Sequence, residues 1–275
     1  MSMTIIVPLD GSPGAERELP IAAALARRSG GSVVLFTDRE RGVPADIDGY
    51  LDAQGARFGV QAEHRLGETH DVPASLAALA AEHDDPVIVM SSRGPTGINE
   101  VVIGSITAET LRMTAAPVLL LGPHLSSEPL PTDHEFETLL LCLDGSHDAE
   151  SIVPVAQRWA ALLGLTTWVV QVVDPARSSG IMNHEPIDES GYVHRIATRL
   201  GGHDVKAEFD VLHDDHHHPA RAILRYAEGL PRPIIAMTTH GRTGLRGIIA
   251  GDVTMNVVRH AVCPVLVVRP ASMAA

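Results

Sequence analysis

Two short patterns in this 275-residue sequence carry groups able to hold an anion, and each occurs twice. The first is Asp-Gly-Ser, at Asp10–Ser12 and again at Asp144–Ser146, each time directly after an apolar run. A carboxylate at a strand tip is placed either to meet a ligand or to tie down the turn, and the serine suits the cap of a following helix. The second pattern is glycine-rich. Ser91-Ser92-Arg93-Gly94-Pro95-Thr96-Gly97 is followed, after an apolar turn, by Gly104-Ser105 at the start of a helical stretch. Glycines let the backbone approach a ligand closely, successive amides form an anion-holding nest, and a helix start aims unsatisfied N–H groups at the same place. Each charge gains only ~0.3–1 kcal/mol from a helix dipole, so such a site needs several groups acting together.

The elements that position these turns form an internal repeat. At an offset of 134, Asp10, Gly11, Ser12, Ala15, Glu16, Pro20, Ala22, Ala26 and Gly30 recur as Asp144, Gly145, Ser146, Ala149, Glu150, Pro154, Ala156, Ala160 and Gly164. From Met90 onward the match is to Met237, at an offset of 147, so the second copy carries 13 extra residues in its middle. Copy one has strand-like runs at Thr4–Leu9, Ser32–Thr37, Val60–Leu66, Pro86–Ser91 and Pro117–Leu121. Copy two has them at Thr138–Leu143, Thr166–Val172, Val205–Leu212, Pro233–Thr238 and Pro264–Val268. The first, fourth and fifth runs of each copy are nearly all apolar, as strands buried on both faces are. Amphipathic stretches at Ala15–Arg28, Ala74–Glu82 and Ser105–Thr114 predict the intervening helices. Strand–helix alternation predicts an α/β fold: two tandem open-sheet domains, each mostly parallel and five-stranded, with helices on both faces. The boundaries fall at 1–125 and 136–271. The Pro-, Ser- and acid-rich stretch Gly122–Glu137 supplies a linker over 126–135.

Composition narrows the function classes. A hydrophobic fraction of 45% is that of a packed core. The formal net charge of −13 argues against broad binding to nucleic acid or anionic membranes. No run approaches the ~18 apolar residues of a membrane span, and the opening residues carry no secretory pattern. Cys142 and Cys263 both lie in apolar stretches, which points to free thiols and a reducing cytoplasm. His213, His216, His217 and His218, with Asp214 and Asp215, have the composition of a metal cluster, but consecutive residues in a loop fit a solvated polar loop better. Trp159 and Trp168 sit at core-like positions. A Walker loop, a Ser-His-Asp signature and a zinc motif are all missing, and no side chain is clearly placed to activate water, so binding is better supported than catalysis.

The sequence resembles the universal stress proteins in tandem form. ATP-binding members carry a small residue, two others, Gly, nine others, then Gly-Ser or Gly-Thr; copy one has Ser91, Gly94, Gly104 and Ser105 at that spacing. The opening IIVPLDGS and the ending AAPVLLL are family-like too. The resemblance implies strand order 3-2-1-4-5 and a cytoplasmic ATP-binding protein, with or without Mg²⁺. It implies phosphates at Ser91, Gly94, Gly97, Gly104 and Ser105, and adenine and ribose near Pro8, Asp10, Thr37, Asp38 and Gly67. Arg93, and His240 at the same position of copy two, either reach phosphate or stand as exposed loop side chains. It also implies that the halves pair through their last strands, as an intramolecular pseudo-dimer or a homodimer, with protein partners that it leaves unnamed.

Copy two departs from this pattern. Its candidate site is Asp144, Val172, His213, Thr238, His240, Gly241, Gly244, Gly251 and Asp252. Asp252 stands where Ser or Thr is expected, and His213 is read as the counterpart of Gly67. A carboxylate beside a triphosphate is repulsive unless a cation intervenes, so the second site is the weaker one. The leading expectation is a nucleotide-dependent regulatory or stress-response protein. The alternatives are a weak ATP hydrolase and an interaction scaffold that binds no nucleotide.

Overall fold

Apolar runs with nothing polar between them have to be covered on both faces, and the strands here are. In the computed structural model β1 (Thr4–Pro8), β4 (Pro86–Ser91), β5 (Val118–Leu121), β6 (Thr138–Leu143), β9 (Pro233–Thr238) and β10 (Val265–Val268) are almost wholly buried. The structure describes residues 2–38, 46–59, 62–67, 71–92, 103–125, 136–173, 189–202, 205–213, 218–239 and 252–270. The remaining strands are β2 (Ser32–Asp38), β3 (Ala62–Gly67), β7 (Thr166–Val173) and β8 (Ala207–His213). All ten form one sheet in the order β3-β2-β1-β4-β5-β10-β9-β6-β7-β8. Each half has the expected 3-2-1-4-5 order with parallel neighbours throughout. The edge strands β3 and β8 carry charged residues, Glu63 and Arg65 in one and Glu208 and Asp210 in the other, which discourages further pairing.

The halves join through their last strands. β10 runs antiparallel to β5, with Val265 opposite Leu120, Leu266 opposite Leu119 and Val267 opposite Val118. An antiparallel seam lets two equivalent edge strands meet about a local twofold. Gly122 lies against the backbone of the second half: a Cβ there would stand 2.5 Å from the Val258 carbonyl oxygen.

Helices cover both faces. One face holds α1 (Pro13–Glu16), α2 (Leu19–Ser29), α3 (Ile47–Phe58), α6 (His147–Glu150), α7 (Val153–Leu163) and α8 (Glu189–Gly201). The other holds α4 (Val72–Ala81), α5 (Ser105–Met113), α9 (Pro219–Glu228) and α10 (Asp252–His260). The stretch Ala15–Arg28, expected as a single helix, is two: α1 ends at Glu16 and α2 starts at Leu19. Pro20 has no N–H to give to the Glu16 carbonyl, so it can sit only in the first turn of a new helix. Pro154 imposes the same break between α6 and α7. Trp159 is fully buried, and Trp168 packs edge-on against Tyr226 with ring centres 5.9 Å apart. No helix among the described residues is long and apolar enough to cross a membrane.

Across the halves, Arg28 Nε donates to the Leu163 carbonyl at 2.9 Å and Arg158 pairs with Asp85 at 3.2 Å; within the first half, Arg17 donates to the Leu125 carbonyl. The Leu163 carbonyl belongs to the last turn of α7, where a cation also meets the negative end of the helix dipole.

Candidate functional site

In an open parallel sheet the crevice for a ligand opens beyond the carboxyl ends of the strands, where the strand order reverses. In the first half that point lies between β1 and β4, which pair with each other while their connections leave in opposite directions. Because β1 to β4 are parallel, Pro8, Asp10, Thr37, Asp38, Gly67 and Ser91 all lie at the same edge. Gly67 closes β3 directly opposite Asp38, and a Cβ on it would fall 2.7 Å from Asp38 Oδ2 and 2.8 Å from the Phe36 ring. Thr37 and Asp38 are buried at the end of β2.

The Asp-Gly-Ser turn is built alike in both halves. Asp10 Oδ1 accepts from the Ser12 N–H at 2.9 Å, and Asp144 Oδ1 accepts from the Ser146 N–H at the same distance. Ser12 and Ser146 cap α1 and α6 by accepting from Ala15 and Ala149 N–H. Gly11 and Gly145 have φ of 78° and 81°, left-handed values that a side chain would strain. Both readings of the aspartate therefore stay compatible: one oxygen holds the turn while the group stands at the strand tip.

The glycine-rich turn leaves from β4 and returns to α5. The two ends described are tied together: Gly104 N–H donates to the Ser92 carbonyl at 2.9 Å. Thr107 Oγ1 donates to the Ser91 carbonyl at 3.0 Å. α5 starts with Gly104 as its cap residue and no side-chain cap, so its first amides are not taken up by a capping side chain. Ser105 is exposed at this helix start. Arg93, Gly94 and Gly97 lie outside the described residues.

One residue that pattern reading passed over stands beneath this turn. Glu18, the residue just before α2, is 2% exposed, and its Oε1 accepts from the Ser91 N–H at 2.5 Å. Burial pushes its carboxyl well above the usual range, against the pull of the Ser91 hydrogen bonds, with Asp10 adding to the rise. The signal available in the sequence was a mismatch. Position 18 of copy one is Glu and its counterpart, Ile152, is apolar, whereas a search for repeats attends to identities. Glu16, by contrast, is repeated as Glu150. Glu16 is held by the Tyr50 hydroxyl at 3.2 Å, Gln54 at 3.0 Å and Arg57 at 3.3 Å. Burial, then Glu16, raises the Tyr50 pKa; burial, then Glu150, does the same for Tyr192.

In the second half Asp144 follows β6, Val172 lies in β7, His213 is the exposed end of β8, and Thr238 closes β9. Thr254 Oγ1 donates to the Thr238 carbonyl at 2.8 Å, repeating the Thr107–Ser91 bond. Asp252 is the first residue of α10. His240, Gly241, Gly244 and Gly251 lie outside the described residues, as do Asp214, Asp215, His216 and His217. The register corrects one equivalence. Asp38 pairs with Gly67, and Val172, at the Asp38 position of the repeat, pairs with Leu212; His213 lies opposite Val173, one residue further on. Gly67 to Leu212 is an offset of 145, so eleven of the 13 extra residues fall before β8 and two after it, and neither the 134 nor the 147 offset alone places that strand. No group of three or more metal-ligating side chains converges among the described residues.

Comparison with known proteins agrees with this geometry. Residues 135–269 match the model of the universal stress protein family. A universal stress protein of Methanocaldococcus jannaschii is 30% identical over 146 residues, 49% of this chain and 82% of that relative. One from Synechocystis is 25% identical over 300 residues, covering 96% of this chain and 99% of that one. Among solved structures, a universal stress protein from Archaeoglobus fulgidus superposes with a TM-score of 0.66 at 17% identity, over 97% of this chain and 98% of that one. That likeness is one of fold across both halves. With two five-stranded α/β units, the Asp-Gly-Ser turns and these relatives, the chain belongs to the universal stress protein family.

Proposed function

We propose that the first half, residues 1–125, binds an adenine nucleotide, ATP, in the crevice between β1 and β4. The observation that carries this reading is the closure of the glycine-rich turn at the switch point. The Gly104–Ser92 bond sets an uncapped helix start beside the tip of β4, where its amides and the Ser105 hydroxyl can meet phosphate oxygens. Asp38 and Gly67 border the far end of the crevice, where a base and ribose extend from such a phosphate. The second half, residues 136–271, acts as a diverged partner joined through 126–135, because Asp252 brings a negative charge to the corresponding helix start. The protein then works as a cytoplasmic regulatory module whose nucleotide state changes its contacts with protein partners. Binding rather than turnover is its task.

A substitution that copies the second half into the first tests this. Ser105→Asp places at α5 the residue that opens α10. An acidic residue in a first helical turn suits the helix, so stability is retained or raised, while a triphosphate is repelled. Titration of ATP into the full chain is expected to show one site, weakened at least tenfold by S105D. Equal binding by both chains would overturn the assignment.

A further inference from the structure

The start of each half is built the same way up to one position. Ser12 and Ser146 cap, Glu16 and Glu150 face a tyrosine, and Pro20 and Pro154 open the next helix. Glu18 and Ile152 then differ, although both are buried, at 2% and 0% exposure. Ile152 belongs to the apolar core of its face. Glu18 takes a carboxyl to the same depth, with one oxygen on the Ser91 amide and the other, Oε2, without a hydrogen-bond partner.

Ser91 is gripped from three directions. Its N–H goes to Glu18, its hydroxyl donates to the Gly14 carbonyl at 3.0 Å, and its carbonyl accepts from Thr107. The second half repeats the last of these through Thr254 and Thr238, but Ile152 has no acceptor to offer for the first. Glu18 is therefore a bracket from α2 to the tip of β4, present in the half that keeps Gly104-Ser105.

The charged surroundings of Glu18 are acidic. Asp10 approaches from the end of β1, and Glu16 lies on α1. Tyr50 faces it from α3 as a neutral phenol. Arg17 is directed at the Leu125 carbonyl, and the basic residues of α2, Arg27 and Arg28, lie in its last turn. β4 brings the Ser91 amide and hydroxyl. An ionised Glu18 here places a buried negative charge beneath a turn that has to receive phosphate.

We propose that Glu18 is a positioning residue of the first site, holding the start of the phosphate turn as a neutral acid, so that nucleotide binding there is linked to a proton on Glu18. The proposal rests on the nucleotide reading of that site. Burial raises the carboxyl, as described above, which favours the protonated form. In that form one oxygen accepts from Ser91 and the other carries the proton, which leaves the group uncharged beneath the turn.

The test is ATP affinity across pH 6 to 9 for the full chain, Glu18→Gln and Glu18→Ile. The wild-type affinity is expected to fall with rising pH relative to E18Q, by up to about tenfold per pH unit once Glu18 ionises. E18Q still accepts from Ser91 and cannot ionise, so its affinity lacks that fall. Titration of ATP itself is common to both chains and cancels in their ratio. E18I is expected to bind several-fold more weakly than E18Q at every pH. Superimposable profiles for wild type and E18Q overturn the linkage, and E18I matching E18Q overturns the bracket. Infrared spectroscopy of the ligand-free protein separates this failure from failure of the nucleotide reading. A protonated-carboxyl band at neutral pH, lost in E18Q, is expected whether or not ATP binds, and its absence refutes the neutral acid.

Discussion

Leu119→Ala tests whether the β5–β10 seam makes the two halves one cooperative unit. Leu119 and Leu266 are both fully buried, stand opposite each other in register and share the same face of the sheet. Removing three carbons at about 0.8 kcal/mol each, with a further cost for the cavity, sets the loss near ~3 kcal/mol. The placement of the tryptophans makes the assay selective. Trp159 and Trp168, the two in the chain, both lie in the second half, so fluorescence reports that half while circular dichroism reports both. Urea unfolding of L119A, a change made wholly in the first half, is expected to shift the fluorescence transition as far as the dichroism transition. A double-mutant cycle with Leu266→Ala is expected to give a coupling of about 0.5–3 kcal/mol, as for residues in contact. A fluorescence midpoint that stays put while the dichroism curve splits would refute the seam as the coupling element.

Three further outcomes follow from the geometry. Because the folded Glu18 carboxyl is raised above its unfolded value, the native chain keeps a proton that the unfolded chain releases. That contribution to stability is fully present below about pH 4.5 and is lost as pH rises toward the folded value; E18Q should flatten this part of the stability profile, and an unaltered slope would contradict it. Gly67→Ala puts a methyl group against Asp38 and Phe36, and overpacking of this kind costs about 1–3 kcal/mol, so its thermal midpoint should drop while an unchanged midpoint would show that β3 yields freely. Burial pushes Cys263 up to about 12, and burial, then Cys263, raises Cys142 still further, so neither thiol should react with a disulfide dye at pH 8 until the chain unfolds. Rapid labelling of the folded protein would count against those burial positions.

The strands were readable because a run such as Leu139–Leu143, buried on both faces, leaves no other reading, and the repeat doubled each assignment. The pairing of the last strands came from the family resemblance, and the β5–β10 register agrees with it. Other features needed the third dimension. The break at Pro20 turns on a single missing N–H, which amphipathic periodicity does not register. The register of β8 depends on where the 13 extra residues are taken up, so Leu212 rather than His213 faces Val172. Gly122 against Val258 and Arg28 against Leu163 join segments more than a hundred residues apart, and neither leaves a local pattern. Glu18 was written in the sequence as a departure from symmetry, and its meaning came from the Ser91 amide above it.

Native mass spectrometry of the full chain titrated with ATP tests the nucleotide assignment most directly. The expected spectrum shows a single adduct that saturates at one nucleotide per chain and is strongly reduced in S105D. A chain that takes up no nucleotide, or one that fills two equivalent sites regardless of S105D, would contradict a single anion-holding turn at the tip of β4.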